Sequence, residues 1–263
     1  MDGMKNTLLF GAVAMAVSIR LSGADTPAPP PGPAAWDPTF FQHCAFVSVD
    51  VQESGPRTHI TEDQVPKLWK TMGFTAADVN AATDYAFDVA FPNSRRVAEA
   101  CRSLKLPMIF IHWGCLFRDG MDLDPSVRQE FLGQFGPDYA KWGNHVGDPM
   151  ARPAAFFGIR DGDYVIPKAG QDAFTSSNLK NVLTNLGVKN IVFVGGHTGA
   201  CLGNTAKSAK RLGFQMLCVE DATFDARQSS RMTWIDKTGY DYVMTTAEFL
   251  ARVQAASPGA AKP

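Results

Sequence analysis

The sequence predicts an α/β protein of the Rossmann-like, doubly wound type: a parallel sheet of about six strands with helices on both faces. Short apolar segments rich in β-branched residues alternate with longer segments of helical periodicity. Such alternation is typical of parallel sheets joined by right-handed crossovers. Polar residues or glycines directly follow several of the strands, as they do at the ligand-binding edge of these sheets. The chain contains no internal repeat.

The first 24 residues have the features of a secretory signal peptide. Lys5 precedes an apolar run over residues 7–19, and Ser22, Gly23 and Ala24 fit a small-x-small cleavage site. The run is too short to span a bilayer, so no stable membrane anchor is expected. Asp2 and Arg20 depart from the usual signal pattern. Export to the periplasm or the exterior is predicted, with a cytoplasmic location as the alternative.

Residues 25–38 are predicted to be a Pro-rich linker, residues 39–255 a single domain and residues 256–263 a disordered tail. The linker prolines rule out a helix or a central strand there. A formal net charge of −1 gives no reason to expect a nucleic acid partner. The five cysteines show neither CxxC nor zinc spacing. Because five is odd, at least one thiol stays free in a monomer, and whether the others pair is open.

In the first half of the domain, two strands enclose three helical segments. The strand at residues 45–51 carries one charge, Asp50, near its end, where an aspartate can also simply cap a turn. The second strand covers residues 108–112. Helices are predicted at residues 61–71, with Thr61 and Gln64 as a capping pair, and then at 75–90 and 92–104. One of the first two should lie outside the basic sheet, as a cap or an oligomer contact.

The second half begins with a loop-rich stretch, residues 114–162, whose one helical patch lies at 126–135. Long loops in compact domains are often functional, so this stretch is predicted to form the substrate-side wall. A short strand at 163–168 ends in Lys168, and Ser176 or Ser177 is expected to begin a helix that reaches Asn185. The later elements are a strand at 191–194, a helix at 201–212, a strand at 215–220, a helix at 229–238, a strand at 242–245 and a helix at 247–255.

Cys201 opens a helix directly after a strand and a glycine turn. The free backbone N–H groups and the dipole of a helix start favour thiolate over thiol, and the thiolate is the nucleophile. The alternative is a small buried hydrophobic residue, which is the usual fate of a free cysteine.

Asp50, Lys168 and Cys201 all lie at the ends of predicted strands or just beyond them. A lysine at such a position is more often solvated surface. If the three meet, the cation of Lys168 can lower the pKa of the thiol, and Asp50 can act as general base and then as general acid. The glycine turn before Cys201 can present backbone N–H groups to an oxyanion.

These segments resemble the isochorismatase-like cysteine hydrolases, which include nicotinamidases, N-carbamoylsarcosine amidohydrolase, ureidoacrylate amidohydrolase and biuret hydrolase. The resemblance covers about residues 45–249. Its motifs are VDVQ at 49–52, IPK at 166–168 with Ala173-Phe174, GGHTGAC at 195–201, NTA at 204–206 and EDA at 220–222.

The resemblance implies that Asp50, Lys168 and Cys201 form a catalytic triad. It also implies a cis peptide bond between Gly196 and His197, with the backbone N–H groups of His197 and Cys201 as the oxyanion hole. The expected activity is hydrolysis of a small amide, carbamoyl or ureido compound through a thioester on Cys201. Relatives usually assemble, so a homo-oligomer is expected.

Three departures from the family pattern qualify the resemblance. Nicotinamidases hold a metal with an Asp and several His after the second strand. This chain has His112 there but no Asp-x-His, so no metal and no cofactor are predicted. Isochorismate-cleaving members lack the cysteine, which favours amide chemistry here. Residues 57–90 are also longer than the usual first connection.

Two other functions remain open at this point. One is a non-catalytic or redox-sensing protein on the same fold, with Cys201 as an oxidisable thiol. The other is a metal-dependent, nicotinamidase-like amidase using His112, Asp119 and His145. For the main hypothesis the partner is a small molecule, and the substrate-binding candidates are Gln52, Trp113, Arg118, Phe174, His197 and Thr198.

Overall fold

A computed structural model describes residues 35–137 and 145–256 of the chain. The predicted signal peptide, residues 25–34 of the Pro-rich linker and the C-terminal tail after Ala256 lie outside the described residues. In the part that is described, no helix is both long enough and apolar enough to cross a membrane.

The predicted sheet is confirmed: six strands run parallel in the order β3-β2-β1-β4-β5-β6. The inner strands β1, β2 and β4 are buried almost throughout, which explains their nearly continuous apolar sequence. The strands are β1 Cys44–Val49, β2 Met108–Trp113, β3 Tyr164–Lys168, β4 Asn190–Gly196, β5 Gln215–Phe224 and β6 Tyr242–Met244.

Strand β5 continues four residues beyond its predicted end. Its pairing with β4 shifts register between Phe193 and Gly195, and Gly195 and Gly196 then pair with Thr223 and Phe224. The charged pair Glu220 and Asp221 lies within this irregular part. The apolar run at residues 216–219 therefore predicted only the first part of the strand.

The helices are α1 Lys67–Thr71, α2 Ala76–Tyr85, α3 Phe91–Ser103, α4 Pro125–Phe135, α5 Ala173–Ser176, α6 Leu179–Asn185, α7 Cys201–Arg211, α8 Arg231–Thr238 and α9 Thr246–Ala256. Helices cover both faces of the sheet. The side containing Phe46, Phe110 and Leu217 packs with α3 and α9, and the side containing Val47, Ile109 and Phe193 packs with α6 and α7.

Three helix predictions are wrong in detail. The segment at 61–71 forms its capping box at Thr61 but breaks at Val65, which is extended because Pro66 follows. The helices predicted at 75–90 and 92–104 are one continuous helical run, joined by a π-helical turn at Ala86–Ala90. The helix predicted from Ser176 is divided into α5 and α6, because the backbone is extended at Ser177.

Residues 57–90, which are longer than the usual first connection of the family, form a cap beside the sheet. Ile60, Val65, Trp69 and Val79 form a small apolar cluster with Ala226, which lies two residues after β5. The guanidinium of Arg227 stacks over Phe74 at 4.3 Å from the ring centre. As predicted, helical segments of this region lie outside the basic sheet, next to the carboxyl end of β5.

Candidate active site

The carboxyl ends of β1, β3 and β4 bring Asp50, Lys168 and Cys201 together. Asp50 follows β1, Lys168 ends β3, and Cys201 begins α7 after β4. Between β1 and β4 the order of strands along the sheet changes direction, and this is where open α/β sheets bind ligands. Asp50 adopts a φ of 53°, in a region that aspartate tolerates better than most residues.

Lys168 lies at the centre of the three side chains. Its Nζ is 2.8 Å from Asp50 Oδ2, donates to Cys201 Sγ at 3.2 Å and donates to the carbonyl of Gly170 at 3.1 Å. The ammonium also lies 4.8 Å from the ring centre of Trp113. The side chains of Lys168 and Asp50 are fully buried, so this cation is held entirely by protein groups.

The pKa of the Cys201 thiol is raised above the ordinary value in the folded site. Burial raises its pKa to about 12, Lys168 lowers it, and Asp50 raises it. Burial also lowers the pKa of Lys168, but Asp50 and Cys201 more than offset this and raise it above the ordinary value. The helix start therefore does not by itself give Cys201 a low pKa, because desolvation of the sulfur outweighs the effect of the cation. Redox-sensing thiols are accessible and acidic, and Cys201 is neither.

The turn between β4 and α7 has a geometry that only its glycines allow. A Cβ on Gly195, at a φ of 104°, would stand 2.1 Å from the carbonyl oxygen of Val49. A Cβ on Gly203 would stand 2.1 Å from the carbonyl oxygen of Thr198. The peptide bond between Gly196 and His197 is cis, as the family resemblance implied.

The backbone N–H groups of this turn divide into bound and open ones. The carbonyl of His197 accepts from the N–H groups of Ala200 and Leu202, at 3.0 and 3.1 Å. Among the described residues, no protein acceptor meets the N–H of His197 or of Cys201. Two unengaged donors thus lie beside the thiol, as an oxyanion hole requires.

Asp225 was not among the predicted site residues, although it contacts this turn. Its Oδ2 accepts from the hydroxyl of Thr198 at 2.7 Å and from the N–H of Gly199 at 2.6 Å. The sequence signal was available: Asp225 directly follows the apolar end of β5, much as Asp50 follows β1. The signal was missed because β5 was predicted to end at Glu220.

A second set of contacts ties α7 to the segment after Lys168. Asn204 Nδ2 donates to Gln171 Oε1 at 2.6 Å, and the Thr205 hydroxyl accepts from the N–H of Ala173 at 3.1 Å. These contacts fix the distance between the element that carries Cys201 and the one that carries Lys168.

Four of the predicted substrate-binding residues are committed to protein partners. Gln52 bonds both the N–H and the carbonyl of Trp113, so it joins the ends of β1 and β2. The hydroxyl of Thr198 is bound to Asp225. Phe174 packs against Phe214 in the cluster that also contains Cys201. The ring of Trp113 lies over the ammonium of Lys168, so Trp113 borders the Asp50, Lys168 and Cys201 cluster.

Arg118 and His197, the other two candidates, lie in opposite environments. The side chain of Arg118 is 72% exposed and pairs with Asp148, and no hydrogen bond or ion pair in the described residues joins it to the triad. His197 is buried, and neither ring nitrogen has a protein partner among the described residues. Its ring borders an apolar cavity of about 10 Å³ walled by Trp69, Val79 and Phe224.

The residues of the metal-site alternative do not converge. His145 Nδ1 accepts from the N–H of Gly147, and Asp119 accepts from the N–H of Met121. His112 is buried, and burial lowers its pKa while Asp50 raises it. Within residues 35–137 and 145–256, no group of three or more His, Cys, Asp or Glu side chains is placed to hold a metal ion.

The fold and the site together define a Rossmann-like α/β protein with a buried Asp–Lys–Cys cluster at the switch point of its sheet. Residues 69–248 match the family described as the isochorismatase domain, which is more than half of the chain. The chain therefore belongs to the isochorismatase family.

Curated relatives and solved structures agree with this membership. The chain is 29% identical over 168 residues to the uncharacterized isochorismatase family protein YwoC of Bacillus subtilis, covering 62% of this chain and 82% of that protein. It is 30% identical over 188 residues to the ureidoacrylate amidohydrolase RutB of Agrobacterium fabrum, covering 63% and 77%. A cysteine hydrolase from Pseudomonas syringae pv. phaseolicola has the same fold, with a TM-score of 0.62, 17% identity, and coverage of 88% of this chain and 100% of that one.

Proposed function

We propose that this hydrolase cleaves the C–N bond of a small amide, carbamoyl or ureido compound through a covalent intermediate on Cys201. The observation that carries the proposal is the position of Lys168, whose ammonium contacts both the Asp50 carboxylate and the Cys201 sulfur. A buried cation between a carboxylate and a thiol can stabilise the carboxylate anion and the thiolate in turn during the reaction.

The first half of the reaction forms the covalent intermediate. Asp50 removes the thiol proton as Cys201 Sγ attacks the substrate carbonyl carbon, because a thiol with a pKa of about 12 does not ionise unaided near neutral pH. The carbonyl oxygen becomes an oxyanion, and the N–H groups of His197 and Cys201 are placed to bind it. Asp50 then gives the proton to the leaving nitrogen. The C–N bond breaks, ammonia or an amine departs, and an S-acyl or S-carbamoyl enzyme remains.

The second half restores the enzyme. Asp50 takes a proton from water as the water oxygen attacks the same carbonyl carbon. The C–S bond breaks, the acid or carbamate product leaves, and the Asp50 proton returns to the sulfur. Lys168 stays protonated throughout, since its pKa is raised, and its charge stabilises whichever of Asp50 and Cys201 is anionic.

Two similar proteins support ureido and carbamoyl compounds as the substrates. RutB proteins, of which the one from Rhizobium rhizogenes is 27% identical over 197 residues, are named for hydrolysis of ureidoacrylate. The fold is shared with N-carbamoylsarcosine amidase from Thermoplasma acidophilum, at a TM-score of 0.50 and 21% identity. We therefore place ureido and carbamoyl compounds first among the substrates to be tested.

The test is release of ammonia or amine from a panel of small amides, N-carbamoyl amino acids and ureides. We expect turnover by the wild type and none by Cys201→Ala. The control is Cys44→Ala, which removes another buried thiol, at the amino end of β1 and away from the triad. Quenching with hydroxylamine should yield a hydroxamate or hydroxyurea from the wild type and from Cys44→Ala, but not from Cys201→Ala. Equal turnover by the wild type and Cys201→Ala would contradict the proposal.

A further inference from the structure

The turn that leads into Cys201 is bonded to the end of β5 at three points. The N–H of Thr198 donates to the carbonyl of Phe224 at 3.1 Å. The hydroxyl of Thr198 and the N–H of Gly199 both donate to Asp225 Oδ2. The remaining oxygen, Oδ1, accepts from the N–H of Arg227 at 3.3 Å. One carboxylate therefore joins the two segments that follow β4 and β5.

Asp225 is a buried charge without a counterion. Its exposed fraction is 6%, and none of the ion pairs among the described residues includes it. The nearby guanidinium of Arg227 turns instead to Asp78 and to the ring of Phe74. Burying an anion is costly unless strong hydrogen bonds satisfy it, and bonds to a carboxylate are stronger than bonds to a neutral acceptor. Three hydrogen bonds, from Thr198, Gly199 and Arg227, offset this cost and hold the turn against the end of β5.

The hydrogen-bonded residues of the turn lie between the two unengaged N–H donors. His197 and Cys201, whose N–H groups are unengaged, lie on either side of Thr198 and Gly199, which Asp225 holds. Gly199 is held from its other side as well, because an added Cβ there would stand 2.7 Å from the indole nitrogen of Trp234. A turn fixed between Asp225 and Trp234 keeps the two open donors at a constant separation.

From this geometry we propose that Asp225 is a positioning residue for the oxyanion hole: it holds residues 198–199 so that the N–H groups of His197 and Cys201 face the developing oxyanion. The inference rests on the function proposed above and adds a residue to it. Asp225 acts through the turn, because its carboxylate accepts from Thr198, Gly199 and Arg227, and no hydrogen bond among the described residues joins it to Cys201. Misplacing donors by about 1 Å can reduce a rate about a hundredfold, so holding the turn in place can have a large effect on the rate.

The chain provides a closely matched control at Asp221. Its Oδ1 also accepts from one backbone N–H and one threonine hydroxyl, those of Thr246, at 2.7 and 2.6 Å. Those bonds hold the start of α9, not the catalytic turn. Asp221→Asn and Asp225→Asn therefore remove the same charge from the same hydrogen-bond pattern at two different places.

With an active substrate, we expect Asp225→Asn to lower kcat about tenfold to a hundredfold with KM changed less than about threefold. Alkylation of Cys201 by iodoacetamide involves no oxyanion, so its rate should stay within about twofold of the wild type. Asp221→Asn should match the wild type in both measurements. Equal kcat values for Asp225→Asn and Asp221→Asn would overturn the inference and leave the proposed function standing.

Amide hydrogen exchange tests, without any substrate, whether Asp225 holds the turn in place. Peptides covering residues 197–203 should exchange faster in Asp225→Asn than in the wild type, while in Asp221→Asn the faster exchange should be confined to the start of α9. Unchanged exchange over residues 197–203 would overturn the inference. A wild type that turns over nothing in the panel would instead overturn the proposed function, and the exchange result would still decide whether Asp225 holds the turn.

Discussion

Lys168 and Trp113 are register partners on β3 and β2, and the ammonium of Lys168 lies 4.8 Å from the centre of the Trp113 ring. The indole is itself packed against Phe131. A desolvated cation over an indole is stabilised by about 2 kcal/mol. Trp113 therefore completes the surroundings of the ammonium, which also contacts Asp50, Cys201 and the carbonyl of Gly170.

Replacing this ring tests its contribution. We expect Trp113→Phe to retain measurable turnover, because a smaller ring still presents its face to the cation. Trp113→Leu should lose the ring interaction and leave a cavity, lowering the free energy of unfolding by about 3 kcal/mol or more. Thermal unfolding and kcat would be measured together. A Trp113→Leu variant as stable as Trp113→Phe would show that the cation–π contact contributes little.

The ion pair of Lys168 and Asp50 should show strong coupling in a double-mutant cycle. Lys168→Met alone leaves an uncompensated buried carboxylate and should cost about 3–5 kcal/mol of unfolding free energy. The double variant Asp50→Asn/Lys168→Met should cost less than the two single changes added together. The exposed pair Arg95 and Glu99 is the control, with an expected coupling below about 1 kcal/mol. Additive effects at Asp50 and Lys168 would contradict the pairing. All variants of the buried pair should be inactive.

The pH dependence of thiol alkylation tests the protonation state of Cys201. Because burial raises its pKa to about 12, the alkylation rate at Cys201 should rise about tenfold per pH unit from neutral pH with no plateau below pH 10. Mass spectrometry would locate the modified residue, and urea-unfolded protein is the control, with a plateau above the ordinary thiol pKa. A plateau below pH 8 in the folded protein would mean that the free site holds a thiolate.

The same pKa difference has a consequence for stability. A thiol whose pKa is higher when folded than when unfolded favours folding fully below the unfolded value, and that contribution is lost as the pH rises toward the folded value. For Cys201 the window runs from the ordinary thiol pKa of 9.0 to about 12. Cys201→Ala should therefore lose less unfolding free energy across this window than the wild type, as followed by urea unfolding at each pH.

The sheet and the convergence of Asp50, Lys168 and Cys201 could be predicted from the sequence because their signals are local. Each of Asp50, Lys168 and Cys201 follows or ends an apolar run, and the carboxyl ends of parallel strands necessarily share one edge. The bends within helical segments were missed for a physical reason. Ser177 is extended where Asp172 caps one short helix and the next has not begun, and neither event changes the helical periodicity of the sequence.

The thiol pKa and the place of Asp225 could not be predicted because both depend on long-range contacts. The position of Cys201 at a helix start suggested a low pKa, but packing by the sheet core desolvates the sulfur, and no local pattern reports that. Asp225 meets Thr198 across 27 positions of sequence, through a register shift that sequence alternation does not reveal. The bonds of Gln52 to Trp113, 61 positions away, likewise depend on a long-range contact that the sequence does not reveal.

Gly203 and Gly133 both lie within helices, but only Gly203 is tightly packed. Gly203 in α7 has no room for a Cβ, which would stand 2.1 Å from the carbonyl oxygen of Thr198, whereas a Cβ on Gly133 in α4 meets nothing within 4 Å. Gly133→Ala should raise the free energy of unfolding by up to about 1 kcal/mol, the usual gain of alanine over glycine in a helix. Gly203→Ala should instead push the backbone of Thr198 away, destabilise the fold and abolish turnover. Thermal melting and the turnover assay, run on both variants, check this directly. A Gly203→Ala protein that melts and turns over like the wild type would mean that the turn beneath Cys201 can yield, and with it the rigidity that we assign to the oxyanion hole.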